Sequence, residues 1–263
     1  MCCVVEYLGT RYAGFQRQPE MLTVQEVLEE AVSAVTQEGA RVVGSGRTDA
    51  GAHALRQVVA FSTDSRLPAE TLKRAINAHL PYDIAVTEAH DAAPDFHPRF
   101  DATSRLYRYV IWNRSVRSPH WHGRALHVPV RLDEQAMHEA AQALVGAHDF
   151  TSFVPLRQEG SRDRMVGAAS CRRDGHLVVF EIEASGFMRQ MVRSIAGTLI
   201  RVGLHRLDHA AFTSILTGRD RALAADTAPA HGLYLAEVRY APLGVTDTYS
   251  TWGVQARRIE ERA

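Results

Sequence analysis

One order of elements is written twice along this chain, and it leaves few folds open. In the first pass, residues Val4 to Tyr7 read as a strand. Thr23-Val24-Gln25-Glu26 is a capping box, and Val24, Val27, Leu28, Ala31, Val32 and Val35 follow as one apolar stripe that Gly39 stops. Strands are expected near 41–44 and 57–63. A second helix is expected from Pro68, with Leu72, Ala75, Ile76 and Leu80 inward, then a strand at Ile84 to His90. The order is β-α-β-β-α-β.

The second pass repeats it with additions. "SRLYRYVIWN" alternates as a strand from Ser104 to Asn113, and a short extra strand is expected near 125–130. Asp133 caps a helix carrying Met137, Ala140, Ala141 and Leu144, ended by Gly146. Strands at 165–173 and 176–184 flank Asp174-Gly175, a hairpin signal. A helix is expected from about Phe187 to Val202, a shorter one from Asp208 to Gly218, and "GLYLAEVRY" closes as a strand. This predicts an α+β protein. Two ferredoxin-like halves, with mostly antiparallel sheets, would be joined edge to edge or packed across a central cleft. The expected units are residues 1–100, residues 101–244 and a polar tail, 245–263. Prolines and polar residues at 95–104 mark the break between the halves.

Bulk properties exclude some classes. No stretch approaches the ~20 apolar residues that cross a bilayer, and "MCCVVEYLGT" reads as no signal peptide. Cys2, Cys3 and Cys171 have neither disulfide nor zinc spacing, which fits a reduced, cytoplasmic setting. No histidine pairs at metal spacing, so neither a metal nor a membrane partner is expected. The formal net charge is +0, which does not advertise a nucleic-acid binder. Yet Lys73 is the sole lysine. Arginine suits phosphates and base faces, although on composition alone a GC-rich genome is the better explanation of the bias.

One loop stands out. "GSGRTDAG", residues 44–51, links two strands through glycines that reach backbone angles closed to other residues. Its spacing is not that of a phosphate-cradling loop. Asp and Gly alone would make the turn, so Arg47 beside Asp49 is the informative part. An exposed arginine can bind an anionic substrate while a rigid carboxylate reacts, and that carboxylate has to be ionised to act as a nucleophile. A neighbouring cation offsets the desolvation of a buried acid. Arg189 and Arg193, four apart on the expected 187–202 helix, are candidates, either pointing into a cleft or solvated at its rim. Tyr107 shares a strand face with Tyr109 and Ile111, which suits core packing or a base-stacking platform.

The motif "GSGRTDAGAHALRQVVAF" resembles the signature of the TruA family, tRNA pseudouridine synthases acting at positions 38 to 40. The likeness continues through "VEYLGTRYAGFQRQ", "INAHLPYDIAV", "DFHPRFDATSRLYRYVIWN", "HDFTSFV", "FMRQMVRSIAGTLIRVG" and "GLYLAEVRY". The resemblance implies the pseudouridine synthase fold and a cofactor-free isomerase that detaches uracil from ribose, turns it and rejoins it through C5. It also implies a homodimer bound to the anticodon stem-loop of tRNA. It places the catalytic aspartate on Asp49, its partner arginine on Arg193, the substrate-contacting tyrosine on Tyr107, and the arginine that displaces the target nucleotide on Arg47. It implies tRNA contacts at Phe96, His97, Arg99 and Phe100, and at Gln158, Ser161 and Arg162. A stacked uridine cannot present its glycosidic bond to a carboxylate, so the base has to be extruded, at a cost on the order of a few kcal/mol. Whether Asp49 attacks C6 of uracil or C1′ of ribose is left open by the sequence.

Overall fold

A computed structural model describes residues 1–157 and 160–241. The first half contains β1 (Cys2–Tyr7), α1 (Val24–Thr36), β2 (Val43–Gly44), β3 (His53–Ala60), α2 (Ala69–His79) and β4 (Ile84–His90). The second contains β5 (Ala102–Trp112), β6 (Leu126–His127), α3 (Glu134–Gln142), β7 (Gly146–Asp149), β8 (Asp163–Asp174), β9 (Leu177–Ala184), α4 (Met191–Gly203), α5 (His209–Gly218) and β10 (Leu233–Tyr240). The doubled order expected from the sequence is present.

The strands form one sheet in the order β4-β1-β3-β10-β5-β9-β8-β7, with β2 on β3 and β6 on β5. The two halves therefore meet edge to edge. Their junction is a short parallel pairing, Tyr234 with His53 and Leu235 with Ala54. The rest of the main path is antiparallel. Alternation on β5 assigns the two faces. Tyr107, Tyr109 and Ile111 join the main core, with α1, α3, α4 and α5 contributing Leu28, Met137, Ile195 and Phe212. Val110 and Trp112 face the other way, into a smaller cluster with Leu177, Val179 and Tyr234.

The helices form where their caps and apolar stripes lie, with shifted ends. Thr23 caps α1 by accepting from the Glu26 N–H, a bond typically worth about 1 kcal/mol. The helix stops at Gln37, which adopts φ 59°, before Gly39 is reached. Pro68 lies at the cap of α2 rather than inside it. Strand β3 begins earlier than expected because His53 and Ala54 pair with β10. Helix α3 ends at Gln142, short of Gly146. Buried Leu144 prolongs the apolar stripe, but Gly146 at φ 112° opens β7, a strand the sequence pattern hid. Helix α4 begins at Met191 instead of Phe187, because Gln190 takes φ 60°. The tail 245–263 lies outside the described residues. No helix among the described residues is long and apolar enough to cross a membrane.

Candidate active site

The loop between β2 and β3 is built from its base upward. Gln57, fully buried on β3, accepts the Ser45 hydroxyl at 2.6 Å and donates Nε2 to the Gly46 carbonyl at 2.8 Å. Thr48 is buried, and its hydroxyl meets the Tyr7 hydroxyl at 2.8 Å. The Thr48 carbonyl accepts from Phe15 N–H. It lies where a Cβ on Gly14 (φ +99°) would come within 2.7 Å, so glycine is required there. With Thr48 anchored inward, Arg47 is left exposed and Asp49 partly exposed. The Ala52 N–H closes the turn on the Asp49 carbonyl at 3.0 Å.

Arg193 reaches Asp49 from the first turn of α4. Its Nη1 donates to Asp49 Oδ2 at 2.7 Å, and the two side chains are 15% and 26% exposed. The guanidinium is aimed by a second bond, Nε to the Ala228 carbonyl at 2.7 Å, while Ala228 N–H returns to the Arg193 carbonyl at 3.1 Å. One turn on, Gly197 lets the segment around Ala228 lie against the helix. A Cβ there would sit 2.2 Å from the Asp226 carbonyl oxygen. The ion pair thus joins a loop of the first half to a helix of the second through a rigid clamp.

Tyr107 lies beside this pair. It is buried, and its ring packs edge-on against Phe187 at 4.9 Å. Burial, then the Asp49 charge, push its phenol up to about 12, with Arg105 pulling the other way. Tyr107 is therefore a neutral hydroxyl across the physiological range. The sequence left its role open between packing and stacking. The structure makes it part of the core, within reach of the Asp49 charge.

The stretch 96–100 forms an ordered turn. His97 Nδ1 accepts from the Arg99 and Phe100 N–H groups, and Tyr240 donates to the Pro98 carbonyl. Phe96 packs on Tyr240, whereas Phe100 is 74% exposed with Arg99 over its ring. Arg105, which the sequence reading passed over, links this turn to the Asp49 loop. Its Nη2 donates to the carbonyls of Arg99 at 2.5 Å and Ser45 at 3.2 Å. Its Nη1 donates to those of Ala102 and Ser185. A strand arginine two residues before Tyr107 is the sequence signal that marked it, but nothing in the pattern said it faced carbonyls.

Ser161 and Arg162 precede β8, where Ser161 bonds Asp163 and Arg162 donates to the Leu156 carbonyl. Gln158 lies outside the described residues. Arg189 is not on a helical face with Arg193: it precedes α4 and is exposed. The reading also overlooked His53 and Phe187. His53 is fully buried, accepts from Gly9 N–H at Nδ1 (2.9 Å) and donates Nε2 to the His231 carbonyl (3.1 Å). Among the described residues no three His, Cys, Asp or Glu side chains gather as a metal site.

Comparison with known proteins gives one consistent result. A family described as tRNA pseudouridine synthase matches residues 3–101 and 140–241. The chain is 41% identical over 240 residues to tRNA pseudouridine synthase A of Methylacidiphilum infernorum, covering 90% of this chain and 94% of that protein. It is 41% identical over 238 residues to the protein of that name from Thermoanaerobacter sp. (strain X514), covering 90% and 98%. It is 44% identical over 237 residues to that from Shewanella woodyi, covering 90% and 91%.

Proposed function

The chain belongs to the tRNA pseudouridine synthase family, and from that premise we propose that it isomerises uridine at positions 38 to 40 of the tRNA anticodon stem-loop, with Asp49 as nucleophile. The observation that carries this reading is the Asp49–Arg193 pair, a carboxylate kept partly accessible by a loop with no slack and held by a clamped guanidinium. A carboxylate in that setting is oriented for attack.

The remaining residues take the roles that the family resemblance implies. Arg47, exposed at the loop tip two residues from Asp49, enters the space that the extruded uridine leaves in the RNA stem. Tyr107 bounds the pocket against which the flipped base rests. Phe96, His97, Arg99 and Phe100 hold the RNA beside it, and Gln158, Ser161 and Arg162 make a further contact. Atoms balance without an oxidant or reductant: the N1–C1′ bond breaks, the C5–C1′ bond forms, C5 loses a proton and N1 gains one. The enzyme acts in the cytoplasm as a homodimer.

Tritium release from tRNA labelled at C5 of uridine, followed by mapping of the modified positions, tests the reading. Release with pseudouridine at 38 to 40 is expected. Pseudouridine formed only elsewhere in the tRNA would remove the anticodon assignment, and full turnover by Asp49→Ala would remove the nucleophile.

A further inference from the structure

Between Asp101 and Asp133 the chain carries no acidic residue, although its total charge is balanced. This run includes Arg114, Arg117 and Arg124, with His120 and His122 between them. All five are exposed, and none of the three arginines has an ion-pair partner among the described residues. The acids that neutralise the chain as a whole lie outside this segment, so it presents local positive charge that the sum conceals.

The segment is a built platform. Trp112 stacks on Trp121 with ring centroids 6.3 Å apart and donates Nε1 to the Val116 carbonyl at 3.0 Å. Tyr234 donates to the Arg124 carbonyl at 2.7 Å, and His127 Nε2 meets the Arg114 carbonyl at 2.8 Å. Backbone carbonyls are thus turned inward and satisfied, while the guanidinium groups stay in solvent. Such an arrangement fixes the backbone from which the guanidinium groups project.

Its position is set by the sheet. Strand β5 runs antiparallel to β10, with Tyr109 opposite Leu233, so Ile111 and Trp112 pass the start of β10. Strand β3 starts at the same level, with His53 opposite Tyr234. The segment therefore leaves the sheet at the end where the Arg47–Asp49 loop enters it. Contacts bridge the gap: Thr10 donates to the Gly123 carbonyl at 3.3 Å, and Gly9 next to it packs on the Ala52 carbonyl.

We infer that Arg114, Arg117 and Arg124 form a second docking surface, which grips the sugar-phosphate backbone of the substrate tRNA away from the flipped nucleotide. The inference rests on the proposed function. It needs nothing from Asp49 itself. A polyanion held only at one extruded base would dissociate easily from a chain of zero net charge; three solvent-facing guanidinium groups supply the backbone contacts that fix register without reading sequence.

The test is the salt dependence of full-length tRNA binding by Arg114→Gln/Arg117→Gln/Arg124→Gln, beside the matching triple lysine variant. Each phosphate contact contributes about 0.9 to the slope of log K against log salt. The glutamine variant is expected to lose up to about 2.7 from that slope, to raise KM for tRNA about tenfold or more, and to keep kcat at saturating tRNA. The lysine variant, which keeps the charge, is expected to stay near wild type. A wild-type slope and KM in the glutamine variant overturn the inference and assign the patch to another anionic partner. Equal losses in both variants overturn it as well, because charge would then not be the cause. If wild-type protein binds tRNA yet releases no tritium, the proposed function fails while a reduced slope still upholds this surface.

Discussion

Arg193 Nη1 and Asp49 Oδ2 meet at 2.7 Å across a sequence separation of 144. Neither residue is held by the other alone: Asp49 sits on a turn closed at Ala52, and Arg193 is aimed by Ala228. The pair is therefore preorganised, so exchanging either partner should change chemistry more than shape. Asp49→Asn keeps size and a hydrogen-bond acceptor but not the charge. It is expected to bring tritium release below detection while tRNA Kd changes by less than about threefold. Arg193→Met is expected to lower kcat by about 10²–10³, the range for loss of one preorganised electrostatic partner. Single-turnover assays at saturating tRNA check both, and a kcat for Arg193→Met within twofold of wild type would sink the pairing as a catalytic device.

Tyr107 allows the ring to be tested apart from its hydroxyl. Its phenol, pushed up to about 12 chiefly by burial, does not titrate in any accessible assay range. If the ring is what bounds the base, Tyr107→Phe keeps it and keeps the edge contact with Phe187, and kcat should fall by less than about tenfold. The pH profile should be unaltered. A loss of about 10³ or more would show that the hydroxyl donates a bond the reaction needs. Tyr107→Ala is less informative, since a ring buried in the core costs about 3–5 kcal/mol to remove.

Arg105 is expected to matter more than its distance from the chemistry suggests. It fastens the 96–100 turn to the Asp49 loop through carbonyls, and burial lowers its basicity. A planar fork can serve four carbonyls at once; an ammonium group cannot. Arg105→Lys should therefore behave like a loss of contact despite keeping the charge. The expected result is a kcat reduced about tenfold or more with a smaller change in KM, together with a lower Tm. Wild-type kcat in Arg105→Lys would show that the two loops hold their relation without it.

How much of this was legible in the sequence differs by type of feature. Helix faces were, because Val24, Leu28, Ala31 and Val32 keep a strict period and all are buried. Ends were less so, since Gln37 and Gln190 adopt left-handed backbone at positions where a glycine signal was sought nearby or not at all. Strand β7 was hidden because Leu144 continues the helical stripe through Gly146. The site divided the same way. The Arg47–Asp49 loop is a contiguous string and could be read. The clamp on Arg193 depends on Ala228, and the tie at Arg105 on backbone carbonyls, neither of which any residue identity encodes. His53 was scattered among other histidines, with only its nearness to Asp49 in sequence to mark it.

His53 yields the pH prediction. Its Nδ1 accepts from a backbone N–H that can only donate, so the proton resides on Nε2, toward the His231 carbonyl. A second proton would set N–H against N–H. Burial accordingly lowers its basicity from the ordinary 6.5, and His231 is lowered as well. A histidine lowered on folding binds fewer protons folded than unfolded. Unfolding then takes up protons between the depressed folded value and about 6.5, and stability falls as pH drops through that window. The slope approaches at most about 1.4 kcal/mol per pH unit for one such group. Above about 6.5 both states are neutral and the slope from His53 vanishes. Wild-type protein should therefore lose Tm between pH 7 and pH 5, and His53→Gln should lose less over the same interval despite a lower Tm at pH 7. The residual slope in that variant belongs in part to His231. Parallel curves for the two proteins, by thermal denaturation in matched buffers, would show that His53 takes up its proton without leaving the Gly9 and His231 contacts. The neutral tautomer would then not be what ties Gly9 to the His231 carbonyl.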